Sequence, residues 1–239
     1  MNVVIAILSA IGAYLLGSIS FARIFGKILV PEKNIVDVER KIQGTEATFR
    51  ARGVGSSALA NAHSSKAGCL AGSLDILKAL IPTLVLRLIY PDQPYYLIAA
   101  SMSMVGHNWP IYYGFKGGHG YSTAYGGAVV VDWLGTLLSA VFGFVMGLFI
   151  LKSFGLIFIL NILFFIPWFI FTKGDFWHIA YAVVVNASFF LASLPDIKQM
   201  SSIKDELPEN GSMRATMMDN PMGRSLLKLT DKLNLKIFD

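Results

Sequence analysis

The chain has 239 residues, of which 54% are hydrophobic and 15% charged, with a net charge of +5. A soluble domain carries about 25% charged residues, so the composition excludes an ordinary water-soluble globule, and no basic cluster is dense enough for a nucleic-acid surface. The mean hydropathy of +0.58 and several apolar runs near the ~20 residues that cross a bilayer point to one polytopic membrane domain.

In chain order, residues 3–25 read as the first membrane helix. The stretch lacks the positive leader of a signal peptide, because Arg23, Lys27 and Lys33 follow the apolar run. The positive-inside rule then puts Met1 outside and the far end of the helix in the cytoplasm. Ser18 follows Gly17 near that far end, a pair that suits close helix packing. Residues 31–66 form a polar loop with Lys33, Arg40, Lys41, Arg50, Arg52 and Lys66.

A second helix is expected over residues 67–90. Cys69 lies in it alone, so it forms no internal disulfide and reads as a buried structural cysteine. Asp75 and Lys78, in LDILK, fall on one helical face. Each charge alone is expensive in a bilayer, so the two should face the bundle interior, either as a structural ion pair or in support of a site. PDQP at 91–94 is an outside turn without positive charge, and residues 95–113 return to the cytoplasmic side with Tyr95, Tyr96 and Trp109 at the interfaces.

Residues 106–123, GHNWPIYYGFKGGHGYST, are the most informative stretch. Gly117, Gly118 and Gly120 would let backbone N–H groups approach phosphate oxygens, and Lys116 adds a point charge. Such a cradle at a membrane boundary suits a phosphate-bearing lipid precursor. His107 reads as a core or site histidine, and His119, between glycines, as an exposed residue or a site residue. His63 is a weak site candidate, and His178 reads as interfacial. No two histidines have ligand spacing with a carboxylate, so no metal is expected.

A short piece near 122–132 reads as a partial or re-entrant span, followed by helices near 134–151, 153–172 and 176–194. Six and seven crossings both fit. In the tail, 201–239, a linker at 208–211 precedes an amphipathic helix bearing Leu226, Leu229, Leu233 and Ile237 beside Lys228, Lys232 and Lys236. That helix would rest either on the cytoplasmic leaflet or on the protein's own cytoplasmic face. No internal repeat supports an inverted-repeat transporter. The expected architecture is all-α: a polytopic membrane bundle of about six or seven transmembrane segments over residues 1–200, with loop 31–66, the site loops and the tail cytoplasmic.

These residues resemble the acyl-phosphate:glycerol-3-phosphate acyltransferases, the PlsY-type membrane enzymes of bacterial phospholipid synthesis. The strongest match is Gly106, His107, Pro110, Phe115, Lys116, Gly117, Gly118, Gly120 and Thr123, against a family stretch that usually reads GHxFPxxxxFKGGKGxAT. GSISF followed by Gly26 and Lys27 resembles the family's GSIPF, and LDILK resembles LDxxKG. Three departures stand out. The first-loop motif keeps only Gly55 and Asn61, with Arg50 and Arg52 upstream instead of an arginine after the asparagine. The second lysine of KGGKG is His119, and the last motif is reduced to Asp196-Ile197-Lys198-Gln199-Met200.

The resemblance implies transfer of a fatty acyl group from acyl-phosphate to glycerol 3-phosphate, giving lysophosphatidate and inorganic phosphate, with no cofactor and no metal. It implies that Lys116, Gly117, Gly118 and Gly120 hold a phosphate and that His107 orients a substrate oxygen or moves a proton. Ser18, Arg50, Arg52, Asn61, His119 and Thr123 would complete the polar pocket. The partners implied are the two substrates and membrane lipids, and a homodimer is compatible with the sequence. A lipid-binding paralogue without turnover and, more remotely, a small transporter built on Asp75, Lys78 and His107 are the competing readings.

Overall fold

The computed structural model describes residues 1–36, 38–41, 48–51, 53–151, 153–202, 217 and 221–232. It is a membrane-type helical bundle. α1 (Val3–Gly17) starts where the Asn2 side chain accepts the N–H groups of Val4 and Ile5. The expected single helix over 3–25 is broken. Ser18 turns its hydroxyl back onto the Tyr14 carbonyl, and Ser20 caps α2 (Phe21–Leu29) by accepting the Arg23 N–H.

The polar loop that follows is not wholly irregular. β1 (Val38–Lys41) and β2 (Thr48–Ala51) pair antiparallel, with Glu39 opposite Arg50. This hairpin departs from the all-α expectation, because the loop is long enough to satisfy its own backbone hydrogen bonds. Buried Ile35, Val54 and Leu59 anchor it against Ala22, Ala67 and Ala71. Leu59 lies in α3 (Ser56–Ala62), and α4 (Ser65–Ile89) begins at Ser64, whose side chain accepts the Ala67 N–H.

α5 (Tyr95–Asn108) leads through a 3-10 turn (Ile111–Tyr113) to the glycine-rich stretch and α6 (Tyr121–Val131). α7 (Trp133–Phe144) continues as a π-helical turn to Ile150, α8 spans Phe154–Thr172, and α9 spans Phe176–Ser202. Asp132 caps α7 by accepting the Gly135 N–H at 2.8 Å, and its second oxygen accepts Trp168 Nε1–H at 3.0 Å.

Five helical segments are long and apolar enough to cross a membrane: Val3–Leu29, Ser65–Ile89, Trp133–Ile150, Gly155–Thr172 and Phe176–Gln199. α5 and α6, with 14 and 11 residues, are shorter. They run inside the bundle, so Leu97, Ala100 and Met104 of α5 and Ala124, Ala128 and Val131 of α6 meet Ile162, Phe165, Phe169, Val185 and Phe189 of α8 and α9. The outward faces are apolar, as at Leu8, Leu88 and Phe171. Cys69 belongs to them: it is exposed, not buried. In a lipid-facing helix apolar character marks the outside, so an apolar neighbourhood does not imply burial.

Contacts sort the segments into two ends. At one, the Asn2 N–H donates to the Tyr95 hydroxyl, Arg87 donates to the Val130 and Val131 carbonyls closing α6, and His178 lies against Tyr96. Asp175 sits there too. Burial acts to raise its carboxyl, but the N–H groups of Trp177 and His178 and the His178 ring hold it below the ordinary carboxylate range. At the other end, the Val54 N–H donates to the Gly117 carbonyl, His119 meets Asp196, and Asn61 meets Arg224.

Arg224 lies in α10 (Pro221–Lys232), which meets the bundle through Leu227 and Arg224, while Gly223 rests against Met217. Leu227 and Met217 cluster with Leu148 and Ile157. Leu229 and Lys228 point outward, and Leu233, Lys236 and Ile237 lie outside the described residues.

α1 and α5 cross so closely that a Cβ at Gly106 would overlap the Tyr14 carbonyl oxygen. Gly106→Ala should therefore lower stability by ~1–3 kcal/mol, the usual penalty for overpacking. Gly12 has nothing within 4 Å of its would-be Cβ, so Gly12→Ala should leave stability unchanged or raise it by up to about 1 kcal/mol. Thermal melts of the two variants in detergent check this, and equal melting points would remove the crossing.

Candidate active site at the glycine-rich turn

The site begins with a cation buried in the bundle. Lys78 is 7% exposed, Asp75 2% and His107 8%. The Lys78 ammonium lies 2.7 Å from the Ile19 carbonyl oxygen, 2.9 Å from His107 Nδ1 and 2.8 Å from Asp75 Oδ1. The last is an ion contact, since Asp75 Oδ1 has no aligned hydrogen-bond donor. The Ile19 carbonyl is available because the helix breaks at Ser18–Ser20 and the Arg23 N–H turns to the Ser20 hydroxyl. An ammonium only donates, so His107 Nδ1 accepts and the neutral ring carries its proton on Nε2.

That Nε2 supports the glycine-rich turn from behind. A Cβ at Gly118 would lie 2.6 Å from His107 Nε2 and 3.0 Å from the Val54 carbonyl oxygen, so no side chain fits there. The Gly118 N–H donates to the His107 carbonyl at 3.3 Å. Upstream, Gly114 and Phe115 both have φ of 60° and reverse the chain, with the Phe115 N–H on the Pro110 carbonyl. Phe115 holds this left-handed conformation without being glycine, a strained state typical of functional turns. Gly120, at φ 73°, closes the stretch and opens α6.

In front of the turn lies a cleft of about 330 Å³. Its lining mixes Lys116, Asn108 and the glycines Gly53, Gly117 and Gly118 with the apolar Trp109, Phe115, Leu191, Ala192 and Pro195. Lys116 is exposed, and its ammonium has no ion-pair partner among the described residues. The Arg23 guanidinium holds the Lys116 carbonyl and stacks on Tyr113 at 4.9 Å. The Gly117 N–H has no hydrogen-bond acceptor among the described residues, whereas that of Gly118 is committed to His107.

The remaining site residues fall around this cleft rather than in its wall. His119 Nε2 meets Asp196 Oδ2 at 3.0 Å. Thr123 is fully buried in the first turn of α6, its hydroxyl without a hydrogen-bond partner among the described residues. Ser18 is buried at the α1–α5 crossing, its hydroxyl given to Tyr14. Asn61 accepts from Arg224 at 2.8 Å and keeps a buried Nδ2 without an acceptor. Arg50 is placed only by its backbone on β2, and Arg52 lies outside the described residues.

Sequence reading missed three contributors. Asn108 lines the cleft and anchors to α9 by donating to the Ser188 carbonyl at 3.0 Å. Its position beside His107 was the only signal. Arg23 was counted as a topology charge, not as a clamp on the turn. Arg224 gave no signal, since nothing local ties a tail arginine to a loop 163 residues earlier.

The family model described as glycerol-3-phosphate acyltransferase matches residues 7–202. The chain belongs to that family. Among its relatives are glycerol-3-phosphate acyltransferases of Halalkalibacterium halodurans, 37% identical over 50% of this chain and 53% of that one, and of Aquifex aeolicus, 32% identical over 56% and 68%. The chain thus spans about half the length of the first curated relative it matches.

Two solved structures of PlsY, an integral membrane glycerol 3-phosphate acyltransferase, also resemble it. The glycerol 3-phosphate form has a TM-score of 0.67 at 25% identity, and the lysophosphatidic acid form 0.65 at 26%. Each comparison covers 82% of this chain and 92% of that one. The family match includes the turn, the buried cation and α9, and it ends before α10.

Removing one partner of the buried pair leaves the other charge uncompensated, at a cost of ~3–5 kcal/mol. Asp75→Asn should therefore destabilise the protein more than Asp75→Asn combined with Lys78→Gln. Unfolding midpoints of the three proteins test it, and equal losses would show that the two charges are independent.

Proposed function

We propose that this protein is a membrane acyltransferase that moves a fatty acyl group from acyl-phosphate to glycerol 3-phosphate, yielding lysophosphatidate for phospholipid synthesis. One observation carries the reading within the family: the cleft lining combines a lysine and glycine backbone with apolar side chains. A phosphate head and an acyl chain require that combination.

In this reading the primary hydroxyl of glycerol 3-phosphate attacks the acyl carbonyl carbon. The carbonyl carbon–oxygen bond to phosphate breaks, and the hydroxyl proton ends on the departing phosphate. Phosphate is already a good leaving group, so the protein mainly orients two anions and offsets their charge. Lys116 and the free Gly117 N–H hold a substrate phosphate, and the acyl chain lies along Trp109, Phe115 and Leu191. His107, set behind Gly118, positions the turn, with Lys78 holding its ring. The end bearing the turn faces the cytoplasm, where lysine and arginine of the flanking loops concentrate.

Lys116→Ala should cut turnover roughly tenfold to a hundredfold, the worth of a charged hydrogen bond of ~1.5–3 kcal/mol. Its melting point should not change, because the side chain is exposed. Lys116→Arg should recover only part of the loss, since a planar fork replaces a point charge. Phosphate release from acyl-phosphate and glycerol 3-phosphate, measured beside a thermal melt, decides it. A folded Lys116→Ala protein with full activity would place the phosphate elsewhere.

Sidedness has its own test in intact cells, on a Cys69→Ser background. His63→Cys should resist an impermeant thiol reagent and Asp92→Cys should react, both positions being exposed at opposite ends. The reverse labelling would invert the orientation.

A further inference from the structure

A carboxylate lies one residue beyond the cleft lining. Asp196 follows Pro195, a wall residue of the cleft, on α9. Left alone, that carboxylate would repel an anion approaching Lys116. It is not alone: His119 Nε2 lies 3.0 Å from Asp196 Oδ2. The same ring lies over Gly53, where a Cβ would come within 2.7 Å of His119 Cε1. His119, within the glycine-rich turn, thus touches two other segments that line the cleft region: the loop at Gly53 and α9.

We propose that His119 is a positioning residue that masks the Asp196 carboxylate on α9, so that a phosphate can enter beside Lys116. A hydrogen bond to an ionised carboxylate is the strong kind, and it offsets part of that carboxylate's charge. The histidine thus serves the anion site indirectly, through Asp196, and not as a phosphate ligand. Two side chains that local sequence leaves unrelated, 77 positions apart by their numbers, act as one unit. The inference rests on the proposed reading only in taking the cleft as a phosphate site.

The experiment uses the full chain in detergent and two readouts: affinity for inorganic phosphate by calorimetry, and KM and kcat with acyl-phosphate and glycerol 3-phosphate. His119→Ala should weaken phosphate binding and raise KM about tenfold, as expected for an unmasked charge, with a smaller effect on kcat. His119→Ala combined with Asp196→Asn should return both values to within about threefold of the parent protein. His119→Lys should retain binding, because an ammonium donor then faces Asp196 in place of the ring N–H. Asp196→Asn alone should bind phosphate as well as the parent does, and it guards against a His119→Ala protein that fails to fold.

A double variant as weak as His119→Ala, a folded Asp196→Asn protein that loses binding, or a parent protein that binds no phosphate would each overturn the inference. A parent protein that binds phosphate with these responses but shows no turnover would sink the proposed reaction and leave the His119–Asp196 unit standing. Turnover without these responses would do the opposite.

Discussion

The ammonium of Lys78, buried among Asp75, His107 and the Ile19 carbonyl, is the interaction on which the rest of the site depends. A charge inside a membrane bundle persists only where every neighbour compensates it. Each compensation here constrains a different segment. The Ile19 carbonyl requires the helix break between α1 and α2, the carboxylate comes from the preceding turn of α4, and the imidazole comes from the end of α5. The histidine then transmits that placement to the glycine-rich turn, because Gly118 rests on its ring and donates to its carbonyl. An electrostatic requirement in the core is thereby converted into a fixed backbone at the surface.

A fixed backbone matters because the proposed reaction asks for little chemistry and much placement. Among the described residues, the cleft brings together the exposed Lys116 ammonium, the Gly117 N–H without an acceptor and apolar lining side chains. Those groups are useful to a phosphate only if they need no rearrangement when it arrives. Arg23 clamps the Lys116 carbonyl, Asn108 ties the end of α5 to α9, and Val54 binds the Gly117 carbonyl. The turn is thus held from the α2 side, the α9 side and the loop before α3.

The tail adds a feature outside the family match, which ends at residue 202. α10 docks by Leu227 beside Met217, on Leu148 and Ile157, and carries Arg224 to Asn61 on α3. Of the leucine face read from the sequence, Leu226 is partly buried and Leu229 points outward, while Leu227 and Thr230 beside it are the buried residues. A leucine-rich stripe two residues wide does not specify which of its edges is covered. That choice is made by the surface it meets.

What the sequence determined by itself was local or chemical. Hydropathy runs located the long helices, because crossing lipid requires an uninterrupted apolar length whatever the fold. The 106–123 stretch marked a glycine-rich turn carrying a lysine, because glycine permits the positive φ that such a turn needs, and three-residue spacing placed Asp75 and Lys78 on one face. The tertiary structure alone decided the break at Ser18–Ser20, the hairpin within the polar loop, the outward face of Cys69 and the pairings His119–Asp196 and Arg224–Asn61. Each of these depends on partners distant in sequence or on which side of a helix meets lipid. Local propensity carries no information about either, because the deciding energy comes from burying or pairing groups that only the folded bundle brings together.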